Sequence, residues 1–259
     1  MRRGAVLRIP FWQVEPEWKG ETVAIIGGGP SLAAGDVNAL HGRVRVIAVN
    51  NAYQLAPWAD LLYFCDEVWW FWHHGGTEIR QVKGIATPIH HKGDPRYREF
   101  KGIKAALVNA CTYGREAAVR VLQNYEANPG LCEIRDGVYT GRSSGYQAIN
   151  LAAHLGAARI LLLGFDMRAV GERTHWHMAH QRATAPHDFK EVMLPWFDTL
   201  AEPCRRRGIE VINCTPGSAI KCFPRMTLAE ALESSPPPLS QAERGGSSLP
   251  FSAREKGKG

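Results

Sequence analysis

The chain has no apolar run approaching the roughly 20 residues needed to span a bilayer, so no membrane helix is expected. It has no CxxC pair. Its six cysteines (Cys65, Cys111, Cys132, Cys204, Cys214, Cys222) are scattered, which argues against a zinc ribbon or a disulfide framework and leaves most of them as small core residues. It lacks HExxH, GxGxxG and GxxxxGK[ST], so it carries neither the helical zinc-protease motif, nor the dinucleotide-fold fingerprint, nor a P-loop. No signal peptide is expected, because MRRGAVLRIPFWQVEPEW opens on two arginines but continues into a broken apolar stretch that ends in acids. The expected location is the cytoplasm.

What remains is the composition of an ordinary globular protein, 45% hydrophobic and 22% charged over 259 residues, enough for one α/β domain with extensions. The formal charge of +6 favours anionic partners. Part of it lies in the last stretch, SSPPPLSQAERGGSSLPFSAREKGKG from Ser234, too rich in Pro, Ser, Gly and Lys to bury a core. The expected organisation is an N-terminal extension over 1–20, a nucleotide-binding α/β domain over 21–233, and a disordered basic tail over 234–259 that offers a contact to nucleic acid.

Strand-length apolar runs alternate with helical segments. The strand candidates are Thr22 to Ile26, Arg45 to Val49, Leu61 to Cys65, a weaker Ile85 to Ile89, Ala105 to Val108, Arg159 to Leu163 and Glu210 to Asn213. Helices are expected from Ser144 to Leu155, Asp188 to Arg207 and Thr227 to Glu233, with Gly156 and Gly208 capping the first two. This order predicts a Rossmann-like, mostly parallel sheet flanked by helices. Polar residues gather at the carboxyl ends of the strands, where open α/β sheets bind ligands.

Several short motifs bear chemistry. In VAIIGGGPSL, Gly27, Gly28 and Gly29 permit close backbone approach, while Pro30 and Ser31 suit a first helical turn. The loop is therefore either a tight strand-to-helix connection or a phosphate cradle at a helix N-terminus. Asn50 and Asn51 close the second strand, and Asn50 is favoured for a base or ribose contact. Asp66 ends the third strand, as a helix cap, a sugar ligand or a metal ligand.

In TGRSSGYQAINLA, Arg142, Ser143 and Ser144 stand at a second helix entrance, a further anion site. The densest polar cluster runs from Asp166 through Arg168, Arg173, His175 and His177 to His180, followed by His187 and Asp188. Histidines there suit anion binding or proton transfer better than structural zinc. The aromatic run Val68-Trp-Trp-Phe-Trp-His-His74 walls a pocket, covers a core edge or forms an interface.

The order of IIGGGPSL, VNNAY, SSGYQAINLAAHLGAARILLLGFDM, APHD and VINCTPGSAI resembles two related groups over about Thr22 to Ile220: the family 42 sialyltransferases and the 6-hydroxymethylpterin diphosphokinase (MptE-like) family. The matching domain also occurs in glycosylation-associated and phage-encoded proteins. The sialyltransferase resemblance implies that the glycine loop, Asn50, the Ser143–Ser144 segment and Asp166 hold a cytidine nucleotide donor. It also implies that His187 is the base activating the acceptor hydroxyl and that Ser218 lies on the nucleotide side. Gly28 stands where that group has asparagine, and no tyrosine follows the GFD segment, so Arg168, Arg173, His175 and His177 would meet the leaving phosphate. The diphosphokinase resemblance implies ATP, with magnesium on Asp66 and Asp166. Three readings follow: a nucleotide-sugar-dependent transferase acting on an acceptor the sequence does not name, a magnesium-dependent diphosphokinase, and a non-catalytic nucleotide-binding or interaction protein.

Overall fold

The computed structural model describes residues 10–108, 118–126, 128–178 and 184–235. Its centre is an eight-stranded sheet in which every neighbouring pair is parallel. In chain order its strands are β1 (Thr22–Ile26), β2 (Arg45–Val49), β3 (Leu61–Phe64), β6 (Ile103–Leu107), β7 (Val119–Tyr125), β8 (Gly137–Tyr139), β9 (Arg159–Leu163) and β10 (Glu210–Asn213). The spatial order is β10-β9-β1-β2-β3-β6-β7-β8. The chain thus winds outward from β1 in one direction, returns as β9 on the other side of β1, and makes the β1/β9 boundary the point where the winding reverses.

The sheet is buried on both faces, which is why its strands read as nearly continuous apolar runs. Successive side chains alternate between two cores. Val23 and Ile25 of β1 join Ile47, Val49, Leu61 and Tyr63 beneath α4 (Ser144–His154) and α5 (Leu194–Arg206). Ala24 and Ile26 join Val46, Ala48, Leu62 and Phe64 on the opposite side. That second layer holds α1 (Ala34–Asn38), α2 (Glu67–His74), α3 (Pro95–Glu99) and α6 (Leu228–Glu233). Gly156 and Gly208 adopt positive φ after α4 and α5, as C-terminal cap glycines do.

Four expectations need correction. The segment Ile85 to Ile89 belongs to β5 (Ile85–His91), which pairs antiparallel with β4 (Gly76–Val82) in a separate two-stranded ribbon. The helix expected from Asp188 begins as a π-helical turn over Asp188–Met193 and becomes α-helical only at Leu194. Strands β7 and β8 went unread.

The fourth correction concerns the N-terminal extension, whose described part is integral to the domain: Val14 and Trp18 are core residues. Trp12 N donates to Val121 O at 2.8 Å and Trp18 N to Leu155 O at 2.8 Å. Cys111 and residues 236–259 of the tail lie outside the described residues. Among the described residues no helix is long and apolar enough to cross a membrane.

The tryptophan-rich run forms α2. Trp69, Trp70 and Phe71 are buried, and Trp69 stacks on Phe64 at 4.7 Å and on His73 at 4.0 Å. Most of the run therefore covers a core edge, and Trp72 is its exposed member, facing the cleft described next.

Candidate functional site

A cleft of about 1040 Å³ opens outside the carboxyl ends of the parallel strands and includes the β1/β9 reversal. Such a reversal leaves a crevice because the helices on either side run off in opposite directions. Gly27 to Gly29, Asn50, Asp66, Arg142 to Gly145, Asp166, Arg168, His175 and His177 all line it. The chain therefore brings together nearly all the site residues read from the sequence.

The glycine loop works differently from the expected cradle. Gly27 N donates to Leu163 O and Gly29 N to Gly164 O, both at 2.8 Å. A Cβ on Gly27 would lie 2.7 Å from Gly164 O, and one on Gly29 would lie 1.9 Å from Asp166 Oδ2. The two outer glycines thus let the ends of β1 and β9 touch, and their amides are consumed in doing so. No helix begins at Pro30, since α1 starts at Ala34 and spans five residues. At Gly28 a Cβ would meet His175 Cδ2 at 3.2 Å. His175 thus occupies the space an asparagine side chain would need.

Asp166 is 1% exposed. Its Oδ2 accepts a hydrogen bond from Ser31 Oγ at 2.9 Å, while Oδ1 has no hydrogen-bond partner among the described residues. Burial pushes its pKa up, against the Ser31 hydrogen bonds and the Arg168 charge. Asn50 has φ of 51°, its Nδ2 reaches Ser144 Oγ at 3.4 Å, and its Oδ1 is buried without a partner. Two unmet acceptors on one cleft suit a ligand that brings donors, such as ribose hydroxyls or an exocyclic amine. Asn51 is instead spent in the core, accepting from Trp69 Nε1 at 2.7 Å.

Uncommitted amides on the cleft lie at the start of α4. Ser143 caps it, its Oγ accepting from Tyr146 N at 3.2 Å. That leaves the Ser144 and Gly145 amides without a bond to any described residue, on the cleft wall at the positive end of an 11-residue helix. Arg142, at φ of 59°, precedes the cap and is exposed on the same wall. Uncommitted amides, expected at the glycine loop, are thus found here.

Two residues are placed away from the wall. Ser218 is fully buried and off the cleft; its Oγ donates to Phe165 O at 2.6 Å and accepts from Ile220 N at 3.2 Å. It holds the turn that carries Asp166 and does not face a ligand. His187 has a side chain 66% exposed, with Nε2 3.1 Å from Asp188 Oδ1. It stands at the rim, between the cleft-lining Thr184 and Asp188. His175 and His177 are on the wall itself, rings 5.6 Å apart, and His175 Nδ1 lies 3.0 Å from Thr174 Oγ1. His180 lies outside the described residues.

Sequence reasoning missed Arg80 on the outer wall, because the Lys83-Gly84 turn that signals its hairpin was not read as one. Arg168 Nε donates to Gly217 O at 2.7 Å, tying the cleft wall to the turn before Ser218.

Around the cleft stand Arg80, Arg142 and Arg168 against the carboxyl groups of Asp66, Glu67, Glu126, Asp166 and Asp188. Burial, aided by Glu78, raises the pKa of Glu67 as it does that of Asp166. Among the described residues no group of three or more His, Cys, Asp or Glu side chains is arranged to hold a metal ion. Asp166 Oδ2 is already engaged by Ser31, and Asp66 accepts from its neighbour Cys65 Sγ at 3.6 Å.

No family model and no curated protein matches the chain. Among solved structures it is similar to the sialyltransferase CstII from Campylobacter jejuni in complex with a substrate analogue, cytidine-5'-monophosphate. The identity is 12%, 81% of this chain and 86% of that chain are covered, and the TM-score is 0.47. No residue role, ligand or reaction is carried from that likeness to this chain.

Proposed function

We propose that the protein is a nucleotide-dependent transferase that takes a nucleotide-sugar donor in this cleft. The observation that carries the reading is the N-terminus of α4: two uncommitted amides, a helix dipole and Arg142 sit on the same cleft as the unmet acceptors of Asn50 and Asp166. Phosphate suits the first wall, and ribose or base donors suit the second. The charge balance favours a donor with few phosphates. Five carboxyl groups facing three arginines would repel a triphosphate lacking a counter-cation, whereas a nucleoside monophosphate linkage adds the least negative charge.

In the proposed reaction the acceptor hydroxyl attacks the anomeric carbon. The bond from that carbon to the phosphate oxygen breaks, and the nucleotide departs as an anion stabilised at α4, Arg142 and Arg168. Gly27, Gly28, Gly29 and Ser31 shape the floor on which the nucleoside rests. His187 takes the acceptor proton. Its place at the cleft mouth is where an acceptor arrives from solvent, and its Nε2 lies 3.1 Å from Asp188 Oδ1. His175 and His177 face the departing phosphate from the wall.

His187→Ala is expected to lower turnover by about 10²-fold or more while leaving nucleotide affinity unchanged. Turnover that survives this change but is lost in His175→Ala would move the base to the wall. Consumption of no nucleotide-sugar, despite nucleotide binding, would favour the non-catalytic reading.

A further inference from the structure

The β4–β5 ribbon stands outside the parallel sheet, closed by a two-residue turn in which Lys83 and Gly84 have φ of 52° and 80°. Positive φ at both positions makes a type I′ hairpin, which fixes which peptide groups point inward. Val82 and Ile85 bond to each other, as do Arg80 and Thr87. The pairs Thr77 with His90, Ile79 with Pro88 and Gln81 with Ala86 direct their N–H and C=O groups outward. Pro88 fits this pattern, because its missing N–H falls on an outer edge.

The two outer edges therefore differ. That of β5 is interrupted by Pro88. That of β4 is intact: Thr77, Ile79 and Gln81 are exposed, and none of them has a backbone bond to a described residue outside the ribbon. Ile79 is 64% exposed. An isolated two-stranded ribbon is marginal in water, and here only its base is braced, by α2 and by buried Glu78 gripping Arg80 and His91 at 2.9 Å each.

The exposed edge reads Thr77-Glu78-Ile79-Arg80-Gln81, which is complementary to itself about Ile79. Laid antiparallel on a second copy, Ile79 faces Ile79, Glu78 faces Arg80, and Thr77 faces Gln81. The residues with outward peptide groups then meet one another, so the backbone bonds and the exposed Ile79 side chains fall into the same register. We propose that β4 pairs edge to edge with β4 of a second copy about a two-fold axis, forming a four-stranded antiparallel sheet shared by a dimer. Isologous pairing of this kind closes the open edge and adds the strands the ribbon lacks. Because Arg80 also stands on the cleft wall, dimerisation steadies that wall in each copy.

Sedimentation velocity on the full chain, from micromolar to millimolar concentration, together with residue-level amide exchange, tests this. The expected species has twice the 28.7 kDa of one chain, and the Thr77, Ile79 and Gln81 amides exchange slowly in it. Ile79→Lys sets like charges opposite each other. Ile79→Pro removes the central outward N–H without touching the ribbon's own ladder. Both are expected to halve the mass and release the Thr77 and Gln81 amides. A monomeric wild type, or a dimer that survives both changes, overturns the proposal. Should either variant fail to fold, fast exchange of the three amides in a wild-type dimer overturns it equally.

Discussion

Gly29 has no room for a side chain, because the Asp166 carboxylate occupies the position its Cβ would take. Gly29→Ala is therefore expected to cost about 2–4 kcal/mol, since Asp166, Gly164 and the strand ends they terminate must separate. Gly28→Ala meets only the edge of His175, a loop side chain, and should cost well under half as much. Denaturant unfolding of the two variants side by side checks this. Equal losses would show that the loop is tight for some reason other than its contact with β9. The sequence displayed the three glycines and Asp166 but not that they touch, since their separation in the chain hides a contact made only when β9 returns beside β1. Ser218 was misplaced for the same reason. A serine in a PGS turn looks available to a ligand, and only the fold reveals that its hydroxyl is spent on Phe165 O.

At the scale of elements, α2 is anchored by a buried polar hub. Tyr53 Oη lies 2.7 Å from His73 Nδ1, and Trp69 stacks on the His73 ring. Burial lowers the His73 pKa to about 4, helped by the Arg96 and His177 charges and opposed by Asp94. The unfolded chain protonates this histidine near pH 6.5. Stability from it is thus complete above about pH 6.5 and declines as pH falls toward about 4, by an amount on the order of 3 kcal/mol. His154, whose pKa burial also lowers, acts in the same direction. Urea unfolding across this window should show a slope that His73→Asn reduces and does not abolish. An unchanged slope would place the titration elsewhere.

The central strands were legible because burial on both faces makes them apolar throughout. At the sheet's far edge β7 mixes polar and apolar positions and β8 is only three residues long, and the ribbon is almost wholly exposed, so none of them gave the apolar signal that betrayed the others.

For the whole molecule, the strand order decides where chemistry can occur. Five strands wind one way from β1 and two the other, and the loops along this edge collect Asp166, Asn50 and the α4 N-terminus from segments distant in sequence. The alternation of strands and helices was enough to foresee the parallel sheet and its ligand-binding edge. The α4 entrance was read as an anion site from its serines and Arg142, but that the glycine-loop amides are spent was not legible, because their hydrogen-bond partners come from β9 and cannot be counted from local sequence.

The proposed function requires that this cleft bind a nucleotide through α4 and Arg142. The most direct test measures thermal stability and equilibrium binding with CMP, CDP, UDP, GDP and ATP, each with and without magnesium, for the wild type and Arg142→Ala. A ligand at 100 times its dissociation constant stabilises the fold by about 2.7 kcal/mol, so even modest affinity registers. The account predicts that a nucleoside monophosphate raises the melting temperature without magnesium, and that Arg142→Ala weakens its binding about tenfold. Failure of every nucleotide to shift the wild-type transition, or undiminished binding in Arg142→Ala, would contradict it.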